Sequence, residues 1–374
     1  MTAARAILGR LVLACAGGVL ALVLLEVICR IAVPHWQWLV PQRFMTTTPA
    51  GVLAGVPNFR GRIASLFRDF DVSLTLDARG FRNPPDADPA APLAFIGDSF
   101  CLGWGVRREE SVSELVARRL GVPYYSYCTV GADLLDEVQI LRTWMPPRAG
   151  RTTVLTITFE NDVHAYPRDV TGTTEETAAA RGFSRRAWSI WLMEHSAAFD
   201  VAMTLARQSA TIVALVHRLG LVSGVPIVTS GGTDPIEATV RMTSRIREAA
   251  GGDRFVVLVV PPRPGQVEFV DYGAFVGALT KAGFDVVDPR AVPGLTITTI
   301  PRDGHWDAAT HAAIASVLAA HLEAGAPGRM GVDGNAVNEP RWFQRHRPRS
   351  REVRPVRPGA PERRRRSSRV RRRA

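Results

Sequence analysis

LAFIGDSFCLGWGV, residues 93–106, opens as a four-residue apolar run and stops at Gly97, Asp98 and Ser99, with Gly103 and Gly105 close behind. A short apolar run bounded by turn residues reads as a buried strand, and the elements after it decide the fold. Residues 109–120 space their apolar side chains as a helix does. VPYYSYCTV (122–130) then reads as a second strand, DEVQILRTWM (136–145) as a second helix and TTVLTITF (152–159) as a third strand. Residues 185–219 predict one or two helices and Pro235–Ala250 another. RFVVLVV (254–260), closed by Pro261 and Pro262, is a strand; a helix over 267–282, the strand FDVVDP (284–289) and the helix AATHAAIASVLAAHL (308–322) complete the series. Alternation of this kind predicts an α/β fold with a parallel sheet covered on both faces. Upstream, Val72, Leu74 and Leu76 alternate with polar residues as in a strand, and Pro84–Pro92 reads as a linker.

The chain has 374 residues, of which 46% are hydrophobic and 22% charged, enough apolar material for one large core. Its formal charge of +11 is not spread along it. Sixteen arginines and four acids lie in residues 327–374, which leaves 30 basic and 31 acidic side chains in residues 1–326. The body is neutral, so no nucleic-acid partner is expected of it. The Arg-, Pro- and Ser-rich tail has too few apolar residues to offset the entropy of ordering and reads as disordered, either a polybasic arm or a solvated extension.

At the other end, LVLACAGGVLALVLL (11–25) carries no charge and continues through Glu26 and Arg30 to Val33. Leu11 to Val33 reaches the ~20 apolar residues that a span needs if Glu26 and Arg30, four apart and able to pair, lie at the far interface. Without a clean small-x-small cleavage site this reads as a retained signal anchor. Arg5 and Arg10 favour a cytoplasmic N-terminus, with residues 35–374 outside the cytoplasm, at the inner membrane. Cys15 and Cys29 fall in the span. Cys101 and Cys128 remain as a disulfide or as two small buried residues. The expected organisation is an anchor (1–34), an entry segment and linker (35–92), an α/β domain (93–326) with a helical insertion at about 163–226, and the tail (327–374).

Open parallel sheets place their chemistry beyond the carboxyl ends of the strands. There the first strand delivers Asp98 and Ser99, the second Gly131 and the third ENDVH (160–164); PRDGHWD (301–307) precedes the last helix. A serine hydroxyl becomes a nucleophile when an imidazole takes its proton, and the imidazole needs a carboxylate to hold its tautomer. Ser99, His305 and Asp303 fill these catalytic roles. The backbone amides of Ser99 and Gly131 and the side-chain amide of Asn161 form an oxyanion hole, Gly131 leaving room for substrate. Asp98 and Asp162 stand beside them as supporting acids. The plainer alternatives are a helix N-cap for Ser99, a turn residue for Asn161, a surface histidine for His305 and a helix-start acid for Asp303. His164 and His311 have no companion at metal-ligand spacing and read as structural, so neither metal nor cofactor is called for. Trp104 and Trp306 flank the site, as core aromatics or as sugar-stacking platforms.

In this order, GDSF (97–100), a lone glycine in a strand-to-helix turn, END (160–162) and DGH (303–305) resemble the SGNH hydrolases, also called GDSL esterases and lipases, over roughly residues 70–322. The family's defining Ser, Gly, Asn and His match Ser99, Gly131, Asn161 and His305. The resemblance implies the family's fold, a flavodoxin-like three-layer α/β/α sandwich. GFRNP (80–84) and MEHSAAF (193–199) look like features of membrane-anchored bacterial members. Phe159 stands where the third block usually has glycine. Asp303 precedes His305 by two rather than three, similar to the polysaccharide O-acetyl-modifying branch. The resemblance implies a membrane-anchored extracytoplasmic serine esterase that hydrolyses acyl esters, O-acetyl esters of a glycan foremost. The alternatives are an O-acetyltransferase acting on an envelope polysaccharide, or a polysaccharide-binding or export subunit that keeps the fold without turnover.

Overall fold

The computed structural model describes residues 2–39, 41–48, 51–166, 191–192, 194–208, 234–252, 254–263 and 270–325. The tail and most of the insertion expected at 163–226 lie outside the described residues.

Helix α1 (Thr2–Ala32) contains a 26-residue stretch, Ile7–Ala32, long and apolar enough to cross a membrane; an 18-residue window within it has a mean hydropathy of 2.7 and no part buried by protein. Glu26 and Arg30 pair as their spacing predicts, at 2.7 Å. Two antiparallel hairpins come next, β1 (Met45–Thr47) with β2 (Leu53–Gly55) and β3 (Arg60–Ala64) with β4 (Asp71–Thr75). Of these four strands the sequence pattern announces only β4. β1 and β2 are three residues long, too short for a period of two to register.

The α/β part then runs β5 (Leu93–Ile96), α2 (Ser99–Leu102), α3 (Val112–Leu120), β6 (Tyr124–Ser126), α4 (Leu134–Trp144), β7 (Thr152–Thr158) and the single turn α5 (Phe159–Asp162). After α6 (Ala197–Gln208) come α7 (Pro235–Ala250), β8 (Arg254–Val260), α8 (Tyr272–Lys281), β9 (Asp285–Val287) and α9 (Ala308–Ala324). The five strands β5–β9 are all parallel, in the order β6-β5-β7-β8-β9. This is the flavodoxin-like order, and its switch point, where the chain leaves β5 for one side and later returns on the other, lies at the end of β5.

Alternation along the strands fills two cores. Leu93, Phe95, Val154, Val256 and Leu258 face α3 and α9; Ala94, Ile96, Leu155, Ile157, Val257 and Val259 face α4, α7 and α8. Truncating one of the large side chains among these to alanine costs about 2–5 kcal/mol. Four of the covering helices begin on an aspartate that accepts backbone N–H groups: Asp133 for α4, Asp234 for α7, Asp271 for α8 and Asp307 for α9. The helix-start acid of α9 is therefore Asp307, which leaves Asp303 free for another role.

The hairpins pack on the loops beyond β5 and before α9: Phe44, Ile63, Phe70 and Leu74 share a cluster with Trp104 and Ile300. GFRNP explains part of the join. Buried Arg82 donates to the carbonyls of Gly103 (2.7 Å) and Val106 (2.9 Å), and burial lowers its pKa to about 10. Asn83 accepts the Ser126 N–H (2.7 Å) and donates to the Ser126 carbonyl (3.0 Å), so one side chain pairs the open edge of β6.

Candidate active site

The strand β5 ends at Ile96, and the chain turns at Gly97 into α2. Its N-cap is Asp98, whose carboxylate accepts the Phe100 N–H at 2.9 Å, so Ser99 is the first residue of the helix and not its cap. Ser99 is 9% exposed, and its Oγ lies 2.7 Å from His305 Nε2. The residues are 206 positions apart in the chain.

His305 is delivered by a tight loop. The Ile300 N–H donates to the His305 carbonyl at 2.8 Å, Thr299 and Trp306 form a bridge, and the Asp303 and Gly304 N–H groups both return to the Ile300 carbonyl. Arg302 (φ +61°) and Gly304 (φ +92°) take left-handed conformations. The turn at Gly304 brings Asp303 and His305, two apart, to the same side, and Asp303 Oδ1 lies 2.5 Å from His305 Nδ1. The Asp-x-His spacing thus suffices to pair acid and base. Burial alone would raise the Asp303 pKa, but hydrogen bonds from the His305 ring, the His305 backbone and Trp104 outweigh it and hold the carboxyl below its ordinary range.

Trp104 is the tryptophan whose two readings the structure separates. It is 7% exposed, its ring packs edge-on against Phe70 at 5.9 Å, and its Nε1 donates to Asp303 Oδ2 at 3.2 Å. It is a core aromatic with its one donor aimed at the acid. Trp306, 2% exposed, packs on Phe100 and on His311. His311 is buried, held neutral by a pKa lowered to about 3 through desolvation, then by the charge of Arg82.

Asn161 lies at the end of β7, in α5, with its amide nitrogen 3.3 Å from Asp98 Oδ2. The block after β5 and the block after β7 therefore meet through Asp98. Gly131 takes a φ of +73°, and a Cβ built there would meet no protein atom within 4 Å. Crowding inside the protein does not demand glycine here; the backbone conformation does. Cys101 of α2 and Cys128 before Gly131 form a disulfide, their Cα atoms 5.5 Å apart, which ties the serine-bearing turn to the glycine-bearing loop.

Two features were not read from the sequence. The first is a buried carboxyl group, Glu137 of α4, fully enclosed with neither oxygen hydrogen-bonded among the described residues. Burial first, then the charges of Asp162 and Asp98, push its pKa well up; Asp162 and Asp98 are raised by burial too. Asp162 accepts the Thr158 N–H at 2.7 Å and so closes the turn that presents Asn161. The second is a bridge across the site. Glu160 accepts the Arg263 backbone N–H (2.8 Å) and its guanidinium (2.9 Å), and Arg263 lies so close over Gly304 that a Cβ there would come within 2.3 Å of it. The loop beyond β8 thus holds the Asn161 turn and the His305 loop together. Beside it opens a cavity of about 260 Å³ lined by Phe100, Pro261, Pro262, Arg263, Ile297, Gly304 and Trp306. Among the described residues no cluster of three or more His, Cys, Asp or Glu could hold a metal ion.

A doubly wound α/β sandwich with a hydrogen-bonded serine, histidine and aspartate at its switch point has the layout of a serine hydrolase site. No protein-family model and no curated protein sequence matches the chain. Among solved structures it is similar to a carbohydrate esterase family 2 enzyme with a carbohydrate-binding domain from Corynascus thermopiles (Myceliophthora fergusii), at 16% identity over 67% of this chain and 70% of that one, with a TM-score of 0.36. It is also similar to a carbohydrate esterase whose active site displays divergent catalytic and non-catalytic binding functions (14%, 62% and 67%, 0.32). A third structure, from Slackia heliotrinireducens and described as that of an SGNH hydrolase, matches at 14% over 62% of this chain and 97% of that one, with a TM-score of 0.25. Likeness at this level carries no residue roles across; those rest on the distances above.

Proposed function

We propose that this chain is a serine esterase of the SGNH type, with Ser99 as nucleophile, His305 as general base and acid, and Asp303 as the group that orients His305. The observation that carries the reading is the continuous relay from Ser99 Oγ to His305 Nε2 (2.7 Å) and from His305 Nδ1 to Asp303 Oδ1 (2.5 Å). With Nδ1 protonated toward Asp303, Nε2 is the acceptor that faces the hydroxyl.

As Ser99 Oγ adds to the ester carbonyl carbon, its proton passes to His305 Nε2 and the carbonyl oxygen becomes an oxyanion. The Ser99 and Gly131 N–H groups and the Asn161 amide are its donors; one such donor is commonly worth ~10²–10³ in kcat. Asp98 holds one N–H of Asn161, and an amide nitrogen has two, so the second is available for the oxyanion. Collapse breaks the bond to the alcohol, which leaves with the proton from His305, and water then releases the acyl group from Ser99.

The substrate proposed is an O-acylated, chiefly O-acetylated, glycan met outside the cytoplasm, with α1 as the membrane anchor. Transfer of the acyl group to a glycan hydroxyl shares the first half-reaction, and the Asp-x-His spacing keeps it as the second reading; acetylated glycan formed without free acetate would favour it. A fluorophosphonate tests the site itself. Peptide mapping should find one modified serine, Ser99, and pretreatment should abolish ester turnover. Labelling elsewhere, with Ser99 unmodified in folded protein, would reject the assignment.

A further inference from the structure

Glu26 is the only charged side chain between Arg10 and Arg30. A carboxylate inside an otherwise apolar helix is costly unless partnered, and its partners usually reveal what it is for. Here they come from two places. Arg30 donates to it from one turn further along α1 (2.7 Å); the Ser196 hydroxyl (2.8 Å) and the backbone N–H groups of Ala197 (2.9 Å) and Ala198 (3.0 Å) come from the start of α6, some 170 residues away. Arg30 completes the circuit by donating to the His195 carbonyl at 2.7 Å.

The first N–H groups of a helix have no partner within it, and its N-terminal end carries partial positive charge. Ser196 caps α6 locally by accepting the Phe199 N–H at 3.2 Å, and Glu26 accepts the two N–H groups before it, those of Ala197 and Ala198. The serine and the two alanines of MEHSAAF leave room for the carboxylate to reach the backbone. Packing reinforces the joint: Cys29 of α1, Val33 just beyond its end and Val201 of α6 meet Trp36, Leu39 and Ala197, together with Leu66 from the turn between β3 and β4. Trp36 has the guanidinium groups of Arg30 and Arg43 at 5.1 and 5.0 Å from its ring centre. The span is thus bonded to the body of the domain rather than linked to it by a free tether.

The same end of α1 exposes Val27, Ile28 and Ile31, the last by 75%, and the docked segment exposes Trp191 (58%) and, on α6, Leu205 (46%). Apolar side chains continuous with a span, next to tryptophan and arginine, have the composition of a membrane–water interface.

We propose that Glu26 locks α1 onto α6, so that the domain meets the lipid bilayer in one orientation with Trp191 and Leu205 entering its surface. The proposal rests on the reading of α1 as a membrane span, and the occupant of the exposed face is lipid.

The test uses the full chain in vesicles of phosphatidylethanolamine and phosphatidylglycerol, a lipid-phase diazirine photolabel mapped by mass spectrometry, and amide exchange. In the unsubstituted protein, label should appear on α1 and also at Trp191 and Leu205, with the Ala197 and Ala198 amides protected. Glu26→Ala should keep the label on α1, lose it at least threefold at 191 and 205, and speed exchange at Ala197 and Ala198 at least tenfold. Leu205→Glu, an exposed substitution away from the joint, should lower lipid labelling at Trp191 while leaving that exchange slow. Label on α1 with none on Trp191 or Leu205 overturns the proposal while the span stands, as does unchanged exchange in Glu26→Ala. No label on α1 removes the span and the proposal with it.

Discussion

Trp104 Nε1 lies 3.2 Å from one oxygen of Asp303 while the other oxygen, Oδ1, meets His305 Nδ1 at 2.5 Å, so a tryptophan five residues after Ser99 holds the carboxylate that in turn holds the His305 ring. Both oxygens of Asp303 are committed, and the carboxylate has little freedom to rotate. A hydrogen bond to a charged group is worth about 1.5–3 kcal/mol, of which part is realised in orientation. Trp104→Phe keeps the ring and removes the donor. It should lower kcat on p-nitrophenyl acetate about tenfold with KM unchanged, and because the N–H helps depress the Asp303 pKa, the acidic limb of the pH–rate profile should move to higher pH. A fall in thermal stability with kcat and the pH profile intact would mean that Trp104 only fills space.

Glu137, Asp162 and Asp98 should make stability fall as pH rises. Their folded-state pKa values are raised above those of an unfolded chain, so their contribution is full below the unfolded values and is lost as pH climbs through the folded ones. Glu137→Gln keeps the shape and removes the ionisation. The variant should melt higher than the unsubstituted protein at pH 8 and match it near pH 4, which thermal melts at the two values will show. An equal difference at both would contradict the assignment.

Gly304 answers to two constraints at once, the φ of +92° and the guanidinium of Arg263 lying over it. Left-handed backbone costs a non-glycine residue about 1–2 kcal/mol, and the alanine methyl must also displace Arg263. Gly304→Ala should reduce kcat at least a hundredfold in a protein that still folds. Glu160→Gln, which weakens the hold on Arg263 without touching the backbone of the loop, should cost less, about tenfold. Steady-state kinetics on the two variants provide the check.

The Cys101–Cys128 disulfide closes a loop of 27 residues, for which the chain-entropy estimate is about 3–4 kcal/mol. Cys101→Ser with Cys128→Ser should lower the urea midpoint accordingly, and should lower kcat as well, since the bridge joins the Ser99 turn to the Gly131 loop. Stability lost without any change in kcat would limit the bridge to a structural role.

The strands β5 and β8 were legible because they are buried on both faces and read as apolar runs, whereas the flavodoxin-like order of the sheet was implied only by the family resemblance. The meeting of Ser99, His305 and Asp303 was legible because each stands at a strand end or just before a helix, where such folds gather their chemistry. What lay beyond reach depended on distant partners. Nothing near Trp104 in sequence announces Asp303, 199 residues on, and Glu160 finds Arg263 only once β7 and β8 pair. Glu137 shares the buried face of α4 with Leu134, Ile140 and Leu141, where its charge is unexpected, and what surrounds its carboxyl depends on the packing of α4 against the rest of the chain. Gly131 was singled out for the room it leaves to substrate, whereas its positive φ is what the structure displays. Glu26 and Arg30 were read as a pair from their spacing, but the half of their partners on α6 could not be.

Ser99 should be acylated by ester substrates with His305 as its base. The most direct measurement is p-nitrophenol release from p-nitrophenyl acetate by the full chain in detergent, beside Ser99→Ala, with intact mass recorded on rapid acid quench. Turnover should be at least a thousandfold above the variant, with a transient gain of one acetyl group that maps to Ser99. Equal rates in the two proteins, or acetyl found on another residue, would contradict it.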